Sequence, residues 1–177
     1  MKLLPADSTG TTIRGVMAGD VESLVAIYNH YVTQTIITFE EEIVTAVEMS
    51  RRVADVQLAL LPWLVAERDN AVVGYAYATK WRVRQAYRFS TEVTVYVAPD
   101  LAGKRIGSML YGQLLSALRA RNIRAAMGGI ALPNDASVAL HEKFGFKKVA
   151  HFEEVGFKFN QWIDVGYWQC NLKASSP

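Results

Sequence analysis

Apolar positions along the chain fall into short alternating runs and into longer stripes that repeat every three or four residues, the marks of strands and of helices. Thr11–Val16 reads as a first strand. Asp20 then stands as the cap of a helix whose Val21, Leu24, Val25, Tyr28, Tyr31 and Val32 form one broad face. Thr45-Ala-Val-Glu48 fits a capping box and announces a second helix, which must end before Pro62. Trp63–Glu67 and Ala71–Thr79 read as an antiparallel hairpin around Asp69-Asn70. Val93, Val95 and Val97 alternate with Glu92, Thr94 and Tyr96, so Thr91–Val97 is a further strand, closed by Pro99. Ile106, Leu110, Leu114 and Leu118 then form a helical stripe over Ile106–Arg121. Ala125–Ile130 is a short apolar run, and Pro133-Asn134-Asp135 opens a helix that Gly145 ends as a C′ residue. Final strands are expected over Lys147–Phe152 and Val165–Leu172. This order predicts a mixed α/β domain with at least one crossover. Residues 1–10 read as a flexible leader and 11–177 as a single domain.

Composition narrows the class. The chain has 177 residues, 51 % hydrophobic and 20 % charged, which is globular and long enough for a full core. Its 19 basic and 17 acidic residues leave a net charge of only +2, too little for a general nucleic-acid binder. The longest apolar stretch, Val53–Ala66, carries Asp55, Gln57 and Pro62 and is shorter than the ~20 residues a membrane span needs. One cysteine, Cys170, allows no internal disulfide, and His30, His141 and His151 are too widely spaced for a metal signature, so no metal is expected. The N-terminus lacks the apolar core of a secretory signal. A cytoplasmic protein, with no membrane or nucleic-acid partner, is the expectation.

The segment EVTVYVAPDLAGKRIGSMLYGQLL runs a strand into a loop with Gly103 and Gly107 and straight into a helix. Backbone N–H groups at a helix N-terminus, aided by the helix dipole, form an anion site. Lys104 and Arg105 add positive charge, and the fitting ligand is a pyrophosphate. The loop lacks the Gly-Lys-Ser/Thr ending of a nucleotide P-loop and the three-glycine dinucleotide fingerprint. Downstream, LPNDASVALHEKFGF places Asn134 and Ser137 in the first turn of a helix with His141 one turn below Ser137. Glu142 and Lys143 are expected to face elsewhere.

Together these two segments resemble the GNAT superfamily of acetyl-CoA-dependent N-acetyltransferases. The stretches IYNHYVTQTIITFEEE, PWLVAE, GYAYATKWRVRQAYRF, STEVTVYVAP and VGFKFNQWIDVGYWQ narrow the resemblance to the phosphinothricin N-acetyltransferase family, over residues 12 to 172. That family acetylates the α-amino group of phosphinothricin and of analogues such as methionine sulfoximine. The resemblance implies a GNAT fold: a central, mostly antiparallel sheet with a splayed parallel strand pair, flanked by about four helices. It also implies acetyl-CoA as cosubstrate, a small amino acid as acceptor, and a homodimer with Phe157 and Trp162 near the contact. The alternatives are a binding protein that senses a metabolite without turnover, and an acetyltransferase for another amine. The family loop usually reads Gln/Arg-x-x-Gly-x-Gly/Ala. Here Ala102 and Arg105 replace the first side chain and the middle glycine, and a β-carbon at a left-handed position costs about 1–2 kcal/mol.

Site roles follow from the same resemblance. Glu92 corresponds to the general base, against the plainer expectation of a solvated strand glutamate. His141 corresponds to the acid, against a structural hydrogen-bonding role. Val95, Tyr96 and Val97 would pair with the pantetheine arm. Gly103, Lys104, Arg105, Ile106, Gly107 and Ser108 would cradle the pyrophosphate. Asn134 and Ser137 would lie beside the arm, although Asn134 suits helix capping equally well. Arg82 and Arg84, on one side of an extended segment, would hold substrate oxygens in bidentate fashion. Phe39, Tyr87 and Tyr96 would wall the substrate pocket.

Overall fold

A computed structural model describes residues 10–172. Apart from Gly10, the expected leader lies outside the described residues. Seven strands form one sheet in the order β1-β2-β3-β4-β5-β7-β6. The strands are β1 (Thr11–Gly15), β2 (Trp63–Arg68), β3 (Ala71–Lys80), β4 (Ser90–Val97), β5 (Ala125–Leu132), β6 (Lys147–Lys158) and β7 (Gln161–Asn171). The helices are α1 (Val21–Gln34), α2 (Ala46–Leu58), α3 (Ile106–Arg119) and α4 (Asp135–Lys143). All neighbours are antiparallel except β4 and β5. This is the mixed α/β GNAT fold that the resemblance implied.

The sheet separates two cores. On one face Leu110, Leu114 and Leu118 of α3 pack on Leu64, Ala76, Val93, Ala126 and Ile130. On the other, Leu24, Tyr28 and Val32 of α1 and Met49 and Val53 of α2 pack on Val65, Tyr75 and Tyr96. The alternation read along β4 thus sends Val93, Val95 and Val97 to the α3 face and Glu92 and Tyr96 to the α1 face.

Local chemistry sets the element ends, with three differences from expectation. Thr45 accepts the Glu48 N–H at 3.2 Å, but Glu48 turns its carboxylate to Arg51 and Arg52, so half of the capping box forms. Asp20 stands at the start of α1 without capping it. Its carboxylate accepts two hydrogen bonds from Arg14, at 2.7 and 2.8 Å, and one from the Met17 N–H at 2.7 Å. The last two strands run well past Phe152 and begin before Val165. They meet at Phe159-Asn160, both at positive φ, as in a two-residue hairpin turn. The end of α4 is as expected: Gly145 has φ +82, and Phe146 and Gly145 donate back to His141 and Glu142 in a Schellman pattern.

Burial alone would raise the Asp20 pKa, but the Arg14 hydrogen bonds, the Met17 N–H and the Arg14 charge more than offset it and hold it below the usual carboxylate range. A depressed pKa stabilises the fold above the unfolded value, and that contribution is lost as pH falls through the folded one. Asp20→Ala leaves Arg14 paired with Glu67 alone and removes charged hydrogen bonds, at an expected cost of about 1.5–3 kcal/mol in denaturant unfolding at pH 7. The difference from wild type should shrink in acid.

Candidate active site

β4 and β5 pair only through Ser90–Ala125, Thr91–Ala126 and Glu92–Met127. Beyond Glu92, β4 follows β3 and β5 follows β7, and the two part. Trp81 N–H donates to Ser90 and Ala98 N–H to Val73, so even-numbered residues of β4 turn their backbone toward β3. Strand alternation turns Val93, Val95 and Val97 toward the gap. The Val97 carbonyl accepts the Tyr31 hydroxyl at 2.6 Å. Tyr96 thus brings its ring to the site, while its backbone belongs to the β3 ladder.

On the α3 face the gap opens into a groove of about 350 Å³ walled by Val95, Val97, the Gly103–Ser108 turn, Asn134 and Ser137. Gly103 and Arg105 both have positive φ, +77 and +64, so Arg105 keeps the left-handed conformation a glycine would hold freely. The N–H groups of Ile106, Gly107 and Ser108 are the first of α3 and have no acceptor within the helix. Lys104 is exposed and off the groove wall. Lys143 of α4 is likewise exposed and off the groove wall, but its ammonium donates to Ser108 Oγ at 3.1 Å. Asn134 caps α4 by accepting the Ser137 N–H at 3.1 Å through Oδ1, which leaves its amide nitrogen to the groove. Its capping and binding positions are therefore compatible.

His141 is buried beneath the gap, in a small cavity of about 60 Å³ that it shares with Thr94, Val95, Gly129 and Asn134. Its Nδ1 lies 2.8 Å from the Ser137 carbonyl, which can only accept, so Nδ1 carries the proton. Nε2 is buried without a partner among the described residues. It lies against Gly128, where a β-carbon would overlap the imidazole. Burial lowers the His141 pKa, against the raising effect of the Ser137 carbonyl. The ring is thus neutral and presents an acceptor.

On the opposite face is a larger cavity of about 660 Å³. Phe39, Arg82, Glu92 and Tyr96 line it, as expected. Arg84 and Tyr87 do not: both sit in the exposed turn after β3, away from its walls. Glu92 is the last residue of the β4–β5 pairing and stands where the strands part. Burial raises its pKa, partly offset by Arg82. No protein group among the described residues hydrogen-bonds its carboxylate. Arg82 lies over the Trp81 ring, 4.2 Å from its centroid. Sequence reasoning missed Ile37, Trp81, Phe152 and Tyr167; periodic patterns cannot find them, because each enters from a turn, a bulged strand or a strand of unforeseen length. Ile37 and Tyr96 line the cavity, the small pocket and the groove alike.

The wall made by Ile37–Phe39 is held by β6. Buried Lys158 donates to the Thr38 carbonyl at 2.7 Å, and the Phe39 ring sits on Gly156, where a β-carbon would collide with it. Tyr28 hydrogen-bonds the Thr38 hydroxyl at 2.9 Å from the other side.

A parted parallel pair, a helix N-terminus at the end of the groove and a carboxylate at the fork match a known family over most of the chain. The family model described as "Acetyltransferase (GNAT) domain" matches residues 13–166. The chain belongs to the GNAT acetyltransferases. It is 41 % identical to a phosphinothricin N-acetyltransferase of Alcaligenes faecalis over 164 residues, 92 % of this chain and 83 % of that one. It is 33 % identical to an L-methionine sulfoximine/L-methionine sulfone acetyltransferase of Salmonella typhimurium, covering 91 % and 94 % of the two chains. Among solved structures, a GNAT superfamily phosphinothricin acetyltransferase of Sinorhizobium meliloti in complex with AcCoA superposes with a TM-score of 0.89 at 33 % identity, covering 92 % and 88 %.

Two outcomes follow for this GNAT chain. Arg105→Gly relieves a left-handed side chain at some cost in backbone entropy and should raise stability by about 0.5–1 kcal/mol in chemical unfolding. Lys158→Met removes a charged hydrogen bond of about 1.5–3 kcal/mol. Exchange of the Ile37–Glu40 amides, followed by mass spectrometry, should then quicken about tenfold or more while the α3 amides keep their rates.

Proposed function

We propose that this chain is an amino acid N-acetyltransferase that moves an acetyl group from acetyl-CoA to the α-amino group of a small amino acid of the phosphinothricin or methionine sulfoximine type. The observation that carries this is the meeting of groove and cavity at one gap, with Glu92 at its edge. The groove suits the cosubstrate. The first-turn N–H groups of α3 and the Lys143 ammonium suit a pyrophosphate. The Val95 and Val97 backbone groups facing the gap suit an amide-bearing arm, with Asn134 and Ser137 beside it. Bound there, acetyl-CoA supplies the acyl group: its C–S bond breaks as the new C–N bond forms, and the leaving thiolate takes up the second proton that the nitrogen sheds.

The chain's own residues supply the rest. An α-amine at neutral pH is mostly ammonium and has no lone pair to share. Glu92, with no hydrogen-bond partner among the described residues, accepts its proton directly or through water, and a raised pKa brings the base closer to the amine. Arg82 pairs with the substrate α-carboxylate. The Val95 N–H is an oxyanion-type donor at the gap. The resemblance makes His141 the acid; its Nδ1–H bond to Ser137 instead supports a structural hydrogen-bonding role, with Nε2 accepting a hydrogen bond at the gap. The resemblance supports a homodimer, for which exposed Phe157 and Trp162, 4.9 Å apart, offer an apolar contact on the β6–β7 hairpin. A buried free Cys170 suits a reducing compartment such as the cytoplasm.

Thiol release from acetyl-CoA tests this directly. Release with amino acid acceptors and none with spermidine is expected; cofactor binding without release would favour the sensor. Glu92→Gln should lower kcat/KM by about 10²–10⁴-fold. In wild type, kcat/KM should fall with acid through a limb above the ordinary glutamate value of 4.5, because burial raises the Glu92 pKa. The same shift means the charged form weakens the fold above that pKa, and the penalty fades as pH falls through it. Glu92→Gln should therefore be no less stable than wild type at pH 7. Full turnover in that variant would remove Glu92 from the mechanism.

A further inference from the structure

The charge in the 660 Å³ cavity sits at one end. Its walls come from four neighbouring strands: β4 gives Glu92 and Tyr96, β5 Met127 and Gly129, β7 Val165 and Tyr167, and β6 Val149, Phe152 and Val155. Glu92 is the single anion among the lining residues and Arg82 the single cation. Both belong to the β4 end, where Arg82 acts on Glu92 through its charge. From β4 the floor crosses three strand spacings, roughly 14 Å, to reach β6. The far end is Val149, Phe152 and Val155, roughly half exposed in the chain alone at 57 %, 47 % and 57 %. No second cation is among the lining residues; Lys147, opposite the lining Gln169, is exposed outside them. The Lys158 ammonium is committed to the Thr38 carbonyl, and Lys148 lies over Trp168 on the other face of the sheet. Arg84 does not line the cavity.

A substrate with its amine at Glu92 and its α-carboxylate on Arg82 has used both charges. A methionine-length side chain, spanning less than half of that floor, then lies over Met127 of β5 and Val165 of β7 and points toward β6. An anionic side chain would lose water there and find no countercharge, only the neutral Tyr167 hydroxyl and Gln169 amide of β7. An apolar side chain, or a neutral polar one ending in a methyl group, would lose nothing and cover apolar surface.

We propose that this site selects amino acids with neutral, largely apolar side chains of methionine-like length over those with an anionic side chain, phosphinothricin included. This rests on the amino acid N-acetyltransferase activity proposed above and narrows its substrate class.

The test compares L-methionine and L-methionine sulfone with phosphinothricin and L-glutamate at saturating acetyl-CoA. The neutral pair should exceed the anionic pair at least tenfold in kcat/KM. Calorimetry of the N-acetylated products on the enzyme without cofactor should give the same order. Phosphinothricin equal to or better than methionine overturns the selection while leaving the amino acid activity intact. Silence with every amino acid overturns both. Val155→Arg supplies the missing cation at the β6 end of a half-exposed position. It should raise the phosphinothricin-to-methionine ratio of kcat/KM at least tenfold, and an unchanged ratio would overturn the direction of the side chain toward β6.

Discussion

Backbone N–H and C=O groups within a sheet must find partners, and the chain leaves one strand edge without a neighbouring strand, with Tyr31 meeting only its Val97 carbonyl. β4 is held by β3 along its whole length, but β5 abandons it after Glu92 to follow β7. The edge left behind is the asset. It lies inside the molecule, walled by α3 and α4, where an extended ligand bearing amides can take the place of the missing strand. The parting also joins the two faces of the sheet, so a ligand on the α3 side and another on the opposite side can meet through a gap floored by backbone. Without the gap, the groove and the cavity would be unrelated hollows.

The electrostatics of the site follow from where the gap is. Glu92 stands at the fork because it is the last residue in register with β5, and that position buries it without giving it a hydrogen-bond donor. A carboxylate so placed is a poor structural element and a good proton acceptor. His141 is the opposite case. Its Nδ1–H is tied to the preceding turn of its own helix, and its ring is fixed between Tyr111, Phe146 and the flat floor at Gly128. It is oriented, desolvated and neutral, which suits accepting a hydrogen bond more than giving up a proton.

How far the sequence disclosed this depended on whether a feature was periodic or long-range. Helix α3, with leucines spaced every four residues, and the β2–β3 hairpin, with Asp69-Asn70 at its turn, were legible because local pattern and tertiary role agree. The β6–β7 hairpin was not: its turn is Phe159-Asn160, and phenylalanine at positive φ gives no turn signal. Missing that turn hid the part of β6 beyond Phe152, and with it Val155 and the anchor Lys158. The pairing of Asp20 with Arg14 was missed for a different reason, since an acidic residue before a helix reads as a cap and only the folded chain brings an arginine to it. Around the gap, the Gly103–Ser108 loop, Asn134, Glu92 and His141 were legible as candidates, and the structure brings them to its edges. Their geometry was not: nothing local shows that Lys143 reaches Ser108, or that Arg84 and Tyr87 stand away from the cavity that Arg82 enters.

The two halves of the site are built from different material, and this bears on the unusual loop. The groove is made largely of backbone: the first turn of α3, the open edge of β4 and the cap of α4. Backbone donors survive side-chain replacement provided that the chain keeps its path, and it does, with Arg105 in the left-handed conformation and Gly103 beside it. Ala102 and Arg105 therefore change the charge and strain of the cradle without removing its N–H groups. The cavity is made of side chains, drawn from four strands and two connecting segments, and each can change without disturbing the groove. A fold divided this way can hold one acyl donor constant while the acceptor varies. In this chain the variable half is furnished with one carboxylate and one guanidinium at the β4 end and an apolar wall at β6.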